Sequence, residues 1–146
     1  MISETVLVLA GAFGERLDAD RVASAIAAGL VAAGRLEVDL CPLEDRLDAP
    51  VANPSAALNE VDFDRRMLAA RAMVLACAEL SDHTLAGSVA FEATTRARQS
   101  GVPAYAVTAH DALDPFEARI VDLQAILRAD SSRALRAAGS KLAALV

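Results

Sequence analysis

The residues best suited to chemistry follow two apolar, strand-like runs at 72–77 and 102–108, and both histidines of the chain lie among them. Imidazole and carboxylate groups transfer protons in enzymes and bind transition metals. If the two runs are parallel strands of one sheet, their carboxyl ends share an edge, where open α/β folds bind ligands. The polar residues there are Glu79, Ser81, Asp82, His83 and Thr84 after the first run, and Thr108, His110 and Asp111 after the second.

Two interpretations of this edge stay open. Asp82 and His83 together with His110 and Asp111 have the residue types for acid–base catalysis or for a transition-metal site. However, their spacing matches no recognised metal motif, and exposed strand ends are commonly polar. We therefore predict no bound metal ion, and we keep these four residues as weak catalytic candidates.

A second candidate is the turn Gly11-Ala-Phe-Gly14, which follows an apolar run and precedes a helix-like stretch. Such turns can direct backbone N–H groups at a phosphate. The turn is neither G-x-G-x-x-G nor a P-loop, because the Lys-Ser/Thr pair is absent. A plain strand-to-helix turn is the favoured interpretation, with Gly11, Phe13 and Gly14 kept as possible ligand contacts.

Alternating strand and helix patterns determine the expected scaffold. Strands alternating with helices indicate parallel strands joined by right-handed crossovers. We predict a three-layer α/β/α, Rossmann-like fold with a mainly parallel sheet of about five strands in the order 2-1-3-4-5. The predicted strands are 5–10, 36–41, 72–77, 102–108 and 123–129, and the predicted helices are 19–33, 61–70, 88–99, 114–121 and 131–145.

Details of these elements can be predicted as well. Asp18, Ser88 and either Asp130 or Ser131 are expected to cap helices, and Pro115 to occupy a first helical position. Gly34 is expected just after the first helix, strand 36–41 at a sheet edge, and 42–59 as irregular connection. The expected inward positions are Val22, Ala23, Ile26, Ala27, Leu30 and Val31 in the first helix, and Leu135, Ala138, Leu142 and Leu145 in the last.

Composition limits the class of protein. The chain has 146 residues, a net charge of −6 and 55% hydrophobic but only 3% aromatic residues. One domain with an aliphatic core is therefore expected, and the acidic balance argues against nucleic acid as a partner. The start of the chain has no signal-like pattern, and the run 6–12 is too short to span a membrane, so we expect a soluble, cytoplasmic protein.

Two further residue sets have a structural and a functional interpretation. Cys41 and Cys77 lie in apolar runs without a metal-binding spacing, which predicts buried free thiols. Four arginines could bind an anion, although solvated helix faces or pairing with nearby carboxylates is the favoured interpretation. These arginines are Arg65, Arg66, Arg96 and Arg98.

After its first predicted strand the chain has Gly11-Ala-Phe-Gly-Glu-Arg-Leu17, followed by the helix pattern Val22-Ala-x-x-Ile-x-x-Gly-Leu30. With these motifs, residues 6–45 and 66–146 resemble the type I glycerate kinases. That family has Asp-Ser-Phe-Lys-Gly-Ser-Leu after its first strand, and its helix pattern matches. The second block, Ala72-Met-Val-Leu-Ala-Cys-Ala-Glu-Leu-Ser-Asp-His-Thr-Leu-Ala-Gly87, is similar to a family motif in which Leu80, Thr84, Leu85 and Gly87 match.

The polar positions of the family are mostly replaced. Its Asp, Ser and Lys in the first motif correspond to Gly11, Ala12 and Gly14, and the charged positions of the second correspond to Cys77, Glu79, Ser81 and Ser88. Asp45, in Pro42-Leu-Glu-Asp, is similar to an acidic residue after the family's second strand. Family members also carry a second domain inserted between the two blocks. The resemblance implies that residues 46–60 of this chain are the junction where that domain is missing.

The resemblance implies ATP-dependent phosphorylation of glycerate, with ATP and Mg²⁺. Because the lysines and the second lobe are missing, we expect a non-catalytic module that binds a small anionic metabolite or a partner, with no cofactor predicted. The alternatives are an enzyme of different chemistry that uses His83 and His110, or a structural module that forms a homodimer. The candidate ligand contacts are Gly11, Phe13, Gly14, Asp45, Glu79, Ser81, Thr84 and Thr108.

Overall fold

The computed structural model describes residues 3–32, 34–44, 46–82 and 86–146. Asp45, His83 and Thr84 lie outside the described residues. Strands and helices alternate along most of the chain, as the sequence predicts. The elements are β1 Thr5–Ala10, α1 Ala19–Val31, β2 Glu37–Pro42, α2 Pro54–Glu60, α3 Phe63–Ala69, β3 Ala72–Ser81, α4 Val89–Gln99, β4 Ala104–Ala112, α5 Pro115–Val121, β5 Leu123–Arg128 and α6 Ser132–Leu145.

Five strands form a parallel sheet in the order β2-β1-β3-β4-β5. Val6 of β1, for example, pairs with Val38 on one side and with Ala72 on the other. This order confirms the predicted Rossmann-like fold class and the edge position of β2. The central strands are continuous apolar runs because helices cover both faces of the sheet.

Each face of the sheet has its own hydrophobic core. Leu7, Leu9 and Leu75 point to the face covered by α2, α3, α4 and α5. Val8 and Val74 point to the opposite face, covered by α1 and α6. Since alternate residues of a strand point to opposite faces, one apolar run contributes to both cores.

The N-termini of α1, α4, α5 and α6 are where the sequence predicts them. The side chain of Asp18 accepts a hydrogen bond from Arg21 N at 2.9 Å, and Ser88 and Ser131 cap α4 and α6 in the same way. Pro115 occupies the first turn of α5. Capping is a local interaction between residues two or three positions apart, and sequence therefore predicts it well.

The prediction that 42–59 is irregular is wrong at its end. α2 begins at Pro54, and the side chain of Asn53 caps it by accepting a hydrogen bond from Ala56 N. The predicted helix 61–70 in turn begins only at Phe63. Asp62 separates the two helices because its φ of 57° is left-handed and interrupts the helical path.

Two predicted inward residues at helix ends are exposed. Val31 is 47% exposed and Leu145 is 52% exposed. Each lies in the last turn of its helix. Gly34 adopts the expected left-handed φ of 82°, but it lies two residues beyond the cap residue Ala32 rather than directly after it.

The strands β3 and β4 are longer than predicted. Their pairing continues beyond the residues at which β1 and β5 end, with Glu79 opposite His110 and Leu80 opposite Asp111. We call residues 77–81 and 109–112 the ribbon, because two paired strands project there beyond the rest of the sheet. Glu79, Ser81, His110 and Asp111, which the sequence predicts after the strand ends, therefore lie on extended backbone.

The two cysteines and the helix lengths bear on two further expectations. Cys41 and Cys77 are both buried and free, as predicted. Within the described residues, no helix has the length and apolar character needed to cross a membrane.

Candidate ligand-binding site

The order of the strands opens a crevice between β1 and β3. β1 leads to α1 on one face of the sheet, whereas β3 leads to α4 on the other face. Ala10 and Ala76 are register partners near the points where the two chains diverge. In open α/β sheets, ligands bind in the crevice at this topological switch point.

The connection after β2 partly fills this crevice. We call residues 46–53 the strap. Leu47 of the strap is fully buried, and a Cβ atom at Gly11 would lie only 2.9 Å from its Cγ atom. The carbonyl oxygen of Leu47 also accepts a hydrogen bond from Ala90 N, in the first turn of α4, at 2.9 Å. The strap therefore joins the loop after β1 to the start of α4.

Asp48 fixes the strap to β3. Its side chain is buried, and its Oδ2 atom accepts a hydrogen bond from Glu79 N at 2.9 Å. Its Oδ1 atom accepts a hydrogen bond from Nε of Arg46 at 3.1 Å. A buried carboxylate needs such partners because burial without them is costly. Both carboxylate oxygens thus have a partner, one from the backbone and one from a cation.

A cleft of about 330 Å³ remains at the crevice, lined by Ala12, Gly14, Arg46 and Ala78. The side chain of Arg46 is 63% exposed at its mouth. The hydrogen bond to Asp48 raises the pKa of Arg46, and the nearby charges of Asp48 and Glu79 add to the increase. Nη1 and Nη2 of Arg46 have no hydrogen-bond partner among the described residues.

Two backbone donors of the predicted phosphate turn are already bonded. Gly11 N donates to Ala76 O at 2.9 Å, and Phe13 N donates to Leu17 O at 2.8 Å. Gly11 and Phe13 are also buried. Gly14 is exposed, has a left-handed φ of 73° and lines the cleft. Of the three turn residues predicted as ligand contacts, only Gly14 faces open space.

The ribbon brings two predicted residues together. Glu79 and His110 are register partners, so their side chains leave the same face of the ribbon. His110 and Asp111 are exposed, whereas Thr108 is fully buried and donates its hydroxyl to His110 O at 3.2 Å. Asp82 is exposed, and its carboxylate accepts a long 3.4 Å hydrogen bond from Asp114 N.

Ser81, another predicted ligand contact, is buried. It is 6% exposed within the ribbon. Asp45, His83 and Thr84 are outside the described ranges. Across residues 3–32, 34–44, 46–82 and 86–146, no group of three or more His, Cys, Asp or Glu side chains is placed to hold a metal ion.

Cys77 lies beneath this edge in the core. Burial strongly raises the pKa of its thiol, and the negative charges of Asp48 and Glu79 raise it further. The thiol is therefore protonated at neutral pH. Since the thiolate is the reactive form of cysteine, Cys77 is a packing residue rather than a nucleophile.

The four arginines considered as anion sites are held by interactions within the chain. Arg66 pairs with Asp39 at 2.6 Å, and Arg65 pairs with Asp62 on the surface. Arg98 donates to the carbonyl oxygen of Ile120. Arg96, which lines a groove of about 380 Å³ between α3 and α4, donates to Ser55, Asn59, Asp64 and Glu92. The interpretation as structural partners is therefore confirmed.

A second, smaller cleft lies at the same edge of the sheet. It measures about 210 Å³ and includes Ala109, Arg128 and Asp130 at the ends of β4 and β5. Arg128 is exposed, and Asp130 lines the same cleft. This cleft lies away from the switch point between β1 and β3.

Sequence reasoning missed the strap residues that shape the cleft. Arg46, Leu47 and Asp48 lie in a segment bounded by Pro42 and Pro50, which reads as irregular connection. An apolar residue beside an acidic one is common in loops, and no local pattern marks either as buried. Only their contacts with distant elements give them a role.

Comparison with known proteins supports the fold alone. No protein-family profile matches the chain, and no curated protein matches it. The fold is similar to that of a solved oxidoreductase from Corynebacterium diphtheriae, with a TM-score of 0.55 and 12% sequence identity. That similarity covers 99% of this chain and 97% of the other. At such low identity the two proteins share an architecture, and chemistry must be argued from the site.

Proposed function

We propose that this domain is a glycerate-kinase-like module that binds a small anionic metabolite at the switch-point cleft and does not transfer phosphoryl groups. The observation that carries the proposal is the cleft itself, which combines small apolar walls with one cation whose terminal nitrogens have no hydrogen-bond partner among the residues that the structure describes. A volume of about 330 Å³ is near the lower limit of ligand pockets, which favours a small metabolite over a dinucleotide.

The described residues at this edge do not present the groups that ATP with Mg²⁺ needs. Phosphoryl transfer needs donors and cations arranged around the phosphates. The N–H groups of Gly11 and Phe13 bond within the chain, and Ala90 N donates to the strap. The single lysine, Lys141, lies in α6, roughly 15 Å along that helix from its start beside β5. These features support a non-catalytic role.

Two measurements test this proposal together. Thermal-shift screening against anionic metabolites should identify a ligand, and its addition should shift the NMR amide signals of Ala12, Gly14 and Ala78. ATP consumption with glycerate should stay at the level of a blank reaction. Phosphorylation of glycerate, or a ligand that perturbs only residues remote from the cleft, would contradict the proposal.

A second candidate function is acid–base chemistry on the ribbon. The observation in its favour is the exposed His110 beside Glu79, which combines an imidazole with a carboxylate on one face. Turnover of carboxylated or phosphorylated metabolites that is lost in both His110→Ala and His83→Ala would support this enzyme. Turnover that both variants retain would exclude the histidines.

A homodimer is a separate proposal about assembly. Exposed apolar side chains such as Leu68 and Phe116, which are 64% and 69% exposed, could be covered by a second copy. Light scattering should then give twice the mass of the chain, whereas a monomer mass at high concentration would reject this assembly.

A further inference from the structure

We propose that Arg46 binds the carboxylate of a compact monocarboxylate in the switch-point cleft, and that Asp48 is the positioning residue that orients its guanidinium. The assignment rests on the proposed function, because it names the ligand class of the same cleft. It adds a specific cation, its orienting partner and the type of anion that the surroundings accept.

The guanidinium of Arg46 is held from one side only. Nε donates to Oδ1 of Asp48 at 3.1 Å, whereas Nη1 and Nη2 have no partner within the described part of the chain. The planar guanidinium presents its donors as a fork that matches the two oxygens of a carboxylate. The Nη edge of Arg46 is therefore a ready bidentate site at the mouth of the cleft.

Asp48 can orient this fork because it cannot itself move freely. It is buried, and Glu79 N holds its second oxygen at 2.9 Å. The neighbouring Leu47 anchors the strap through Gly11 and Ala90. An arginine bonded to such a fixed carboxylate loses less conformational freedom when it binds a ligand.

The carboxylates near Arg46 limit the charge of the anion that it can bind. Asp48 and Glu79 both lie near Arg46 and both contribute to its electrostatic environment. Two negative groups around one cation disfavour a dianion or a polyphosphate, since like charges repel. Ala12 and Ala78 provide apolar walls that suit a short hydrocarbon body. A carboxylate with a single charge and a small apolar body fits both conditions.

The experiment uses the full chain and three probes in NMR amide titrations: butyrate, its neutral isostere butyramide, and inorganic phosphate. Butyrate should shift the amide signals of Ala12, Gly14 and Ala78 in a saturable way. Butyramide should bind much more weakly because it cannot accept a charge-assisted bidentate pair. Phosphate should also bind more weakly than butyrate, and a preference for phosphate over butyrate would overturn the ligand class.

Matched variants test the two residues. Arg46→Lys keeps the charge but loses the fork, and should weaken butyrate binding about tenfold. Arg128→Lys makes the same change at the other cleft and should leave the affinity unchanged. Equal affinities of wild type and Arg46→Lys would overturn the assignment of Arg46.

The positioning role of Asp48 is tested by measuring ligand affinity and protein stability separately. In Asp48→Asn the amide oxygen can still accept from Glu79 N, so the strap should stay attached while Arg46 loses its carboxylate. The Nε–H signal of Arg46 should then exchange faster with water, and butyrate affinity should fall severalfold in protein that is still folded. A lower melting temperature with unchanged butyrate affinity would show that Asp48 is structural only.

The titrations separate the role of Arg46 from the existence of a ligand site in the cleft. If another metabolite shifts the signals of Ala12, Gly14 and Ala78 but Arg46→Lys has no effect, the cleft remains a ligand site and the assignment of Arg46 fails. If no compound in the metabolite screen, charged or neutral, perturbs these signals, both proposals fail.

Discussion

Gly29 of α1 and Gly139 of α6 pack backbone against backbone where the two helices cross. A Cβ atom at Gly29 would lie 2.9 Å from Gly139 Cα and 2.0 Å from the carbonyl oxygen of Arg136. A Cβ atom at Gly139 would lie 2.2 Å from the carbonyl oxygen of Ile26. No side chain fits between the helices at this point, so the close crossing that covers one face of the sheet depends on both glycines.

Gly29→Ala should destabilise the protein by about 2 kcal/mol or more. Overpacking against backbone atoms costs about 3 kcal/mol, and the better helix propensity of alanine offsets about 1 kcal/mol of it. Urea unfolding followed by circular dichroism measures the change. Ser24→Ala, on the exposed side of α1, is the control and should change stability little. A Gly29→Ala protein as stable as wild type would mean that the helices can separate without cost.

Asp48→Ala should lower stability by about 2 kcal/mol, because it leaves the N–H of Glu79 without its acceptor and removes the partner of Arg46. Hydrogen exchange at the Glu79 amide should accelerate more than at neighbouring residues of β3. Glu44→Gln changes an exposed carboxylate just before the strap and should have no such effect. Unchanged exchange at Glu79 would contradict the role of Asp48 in fixing the strap.

Arg66→Lys should cost about 1–2 kcal/mol. Nε and Nη2 of Arg66 contact both oxygens of Asp39 at 2.9 and 2.6 Å, and Nη2 also donates to Leu40 O, an arrangement that an ammonium group cannot reproduce. Arg65→Lys is a matched control, since its surface pair with Asp62 should contribute less than about 0.5 kcal/mol. Equal effects of the two substitutions in chemical denaturation would reject a special role for Arg66.

Stability should fall at alkaline pH because of Cys77. Burial raises the pKa of this thiol in the folded protein, whereas a thiol in the unfolded chain has a pKa of about 8.5. Above about pH 8.5 the unfolded state loses this proton and the folded state keeps it. The free energy of unfolding should then decrease by about 1.4 kcal/mol per pH unit from this group. Below about pH 8.5 the thiol is protonated in both the folded and the unfolded state, so its contribution to the free energy of unfolding is fully present there.

Urea unfolding of wild type and Cys77→Ala between neutral and alkaline pH measures this effect. The variant has lower stability overall because it loses a buried sulfur, but its stability should depend less steeply on alkaline pH. Cys41, whose pKa burial also raises, is present in both proteins, so its contribution cancels. Parallel pH profiles for the two proteins would show that Cys77 is not the group responsible.

The fold was largely predictable because its signals are local. The run 5–10 is apolar on both faces, which indicates a covered central strand, and Asp18, Ser88 and Ser131 cap helices through bonds to nearby backbone. The ends of elements were less predictable. Pairing across the ribbon extends β3 to Ser81, and this depends on a partner strand rather than on residues 78–81 themselves.

The candidate site was predictable only in its position. Parallel strands place their carboxyl ends at one edge of the sheet, so the sequence predicted Gly14 and Glu79 as ligand contacts there. It did not indicate that Gly11 and Phe13 have their N–H groups bonded, or that Arg46 lines a cleft. These facts depend on which segment covers the crevice, and the segment 42–59 carries no pattern that specifies this.

The sequence by itself determined the order and type of most elements, because hydrophobic periodicity and capping act over a few residues. The tertiary structure alone decided that Asp48 lies against Glu79, which is 31 positions away, and that Leu47 packs on Gly11. The physical reason is that burial and partner choice depend on the simultaneous packing of distant segments. A carboxylate in a loop becomes a buried anchor only when another strand presents an unpaired N–H group to it.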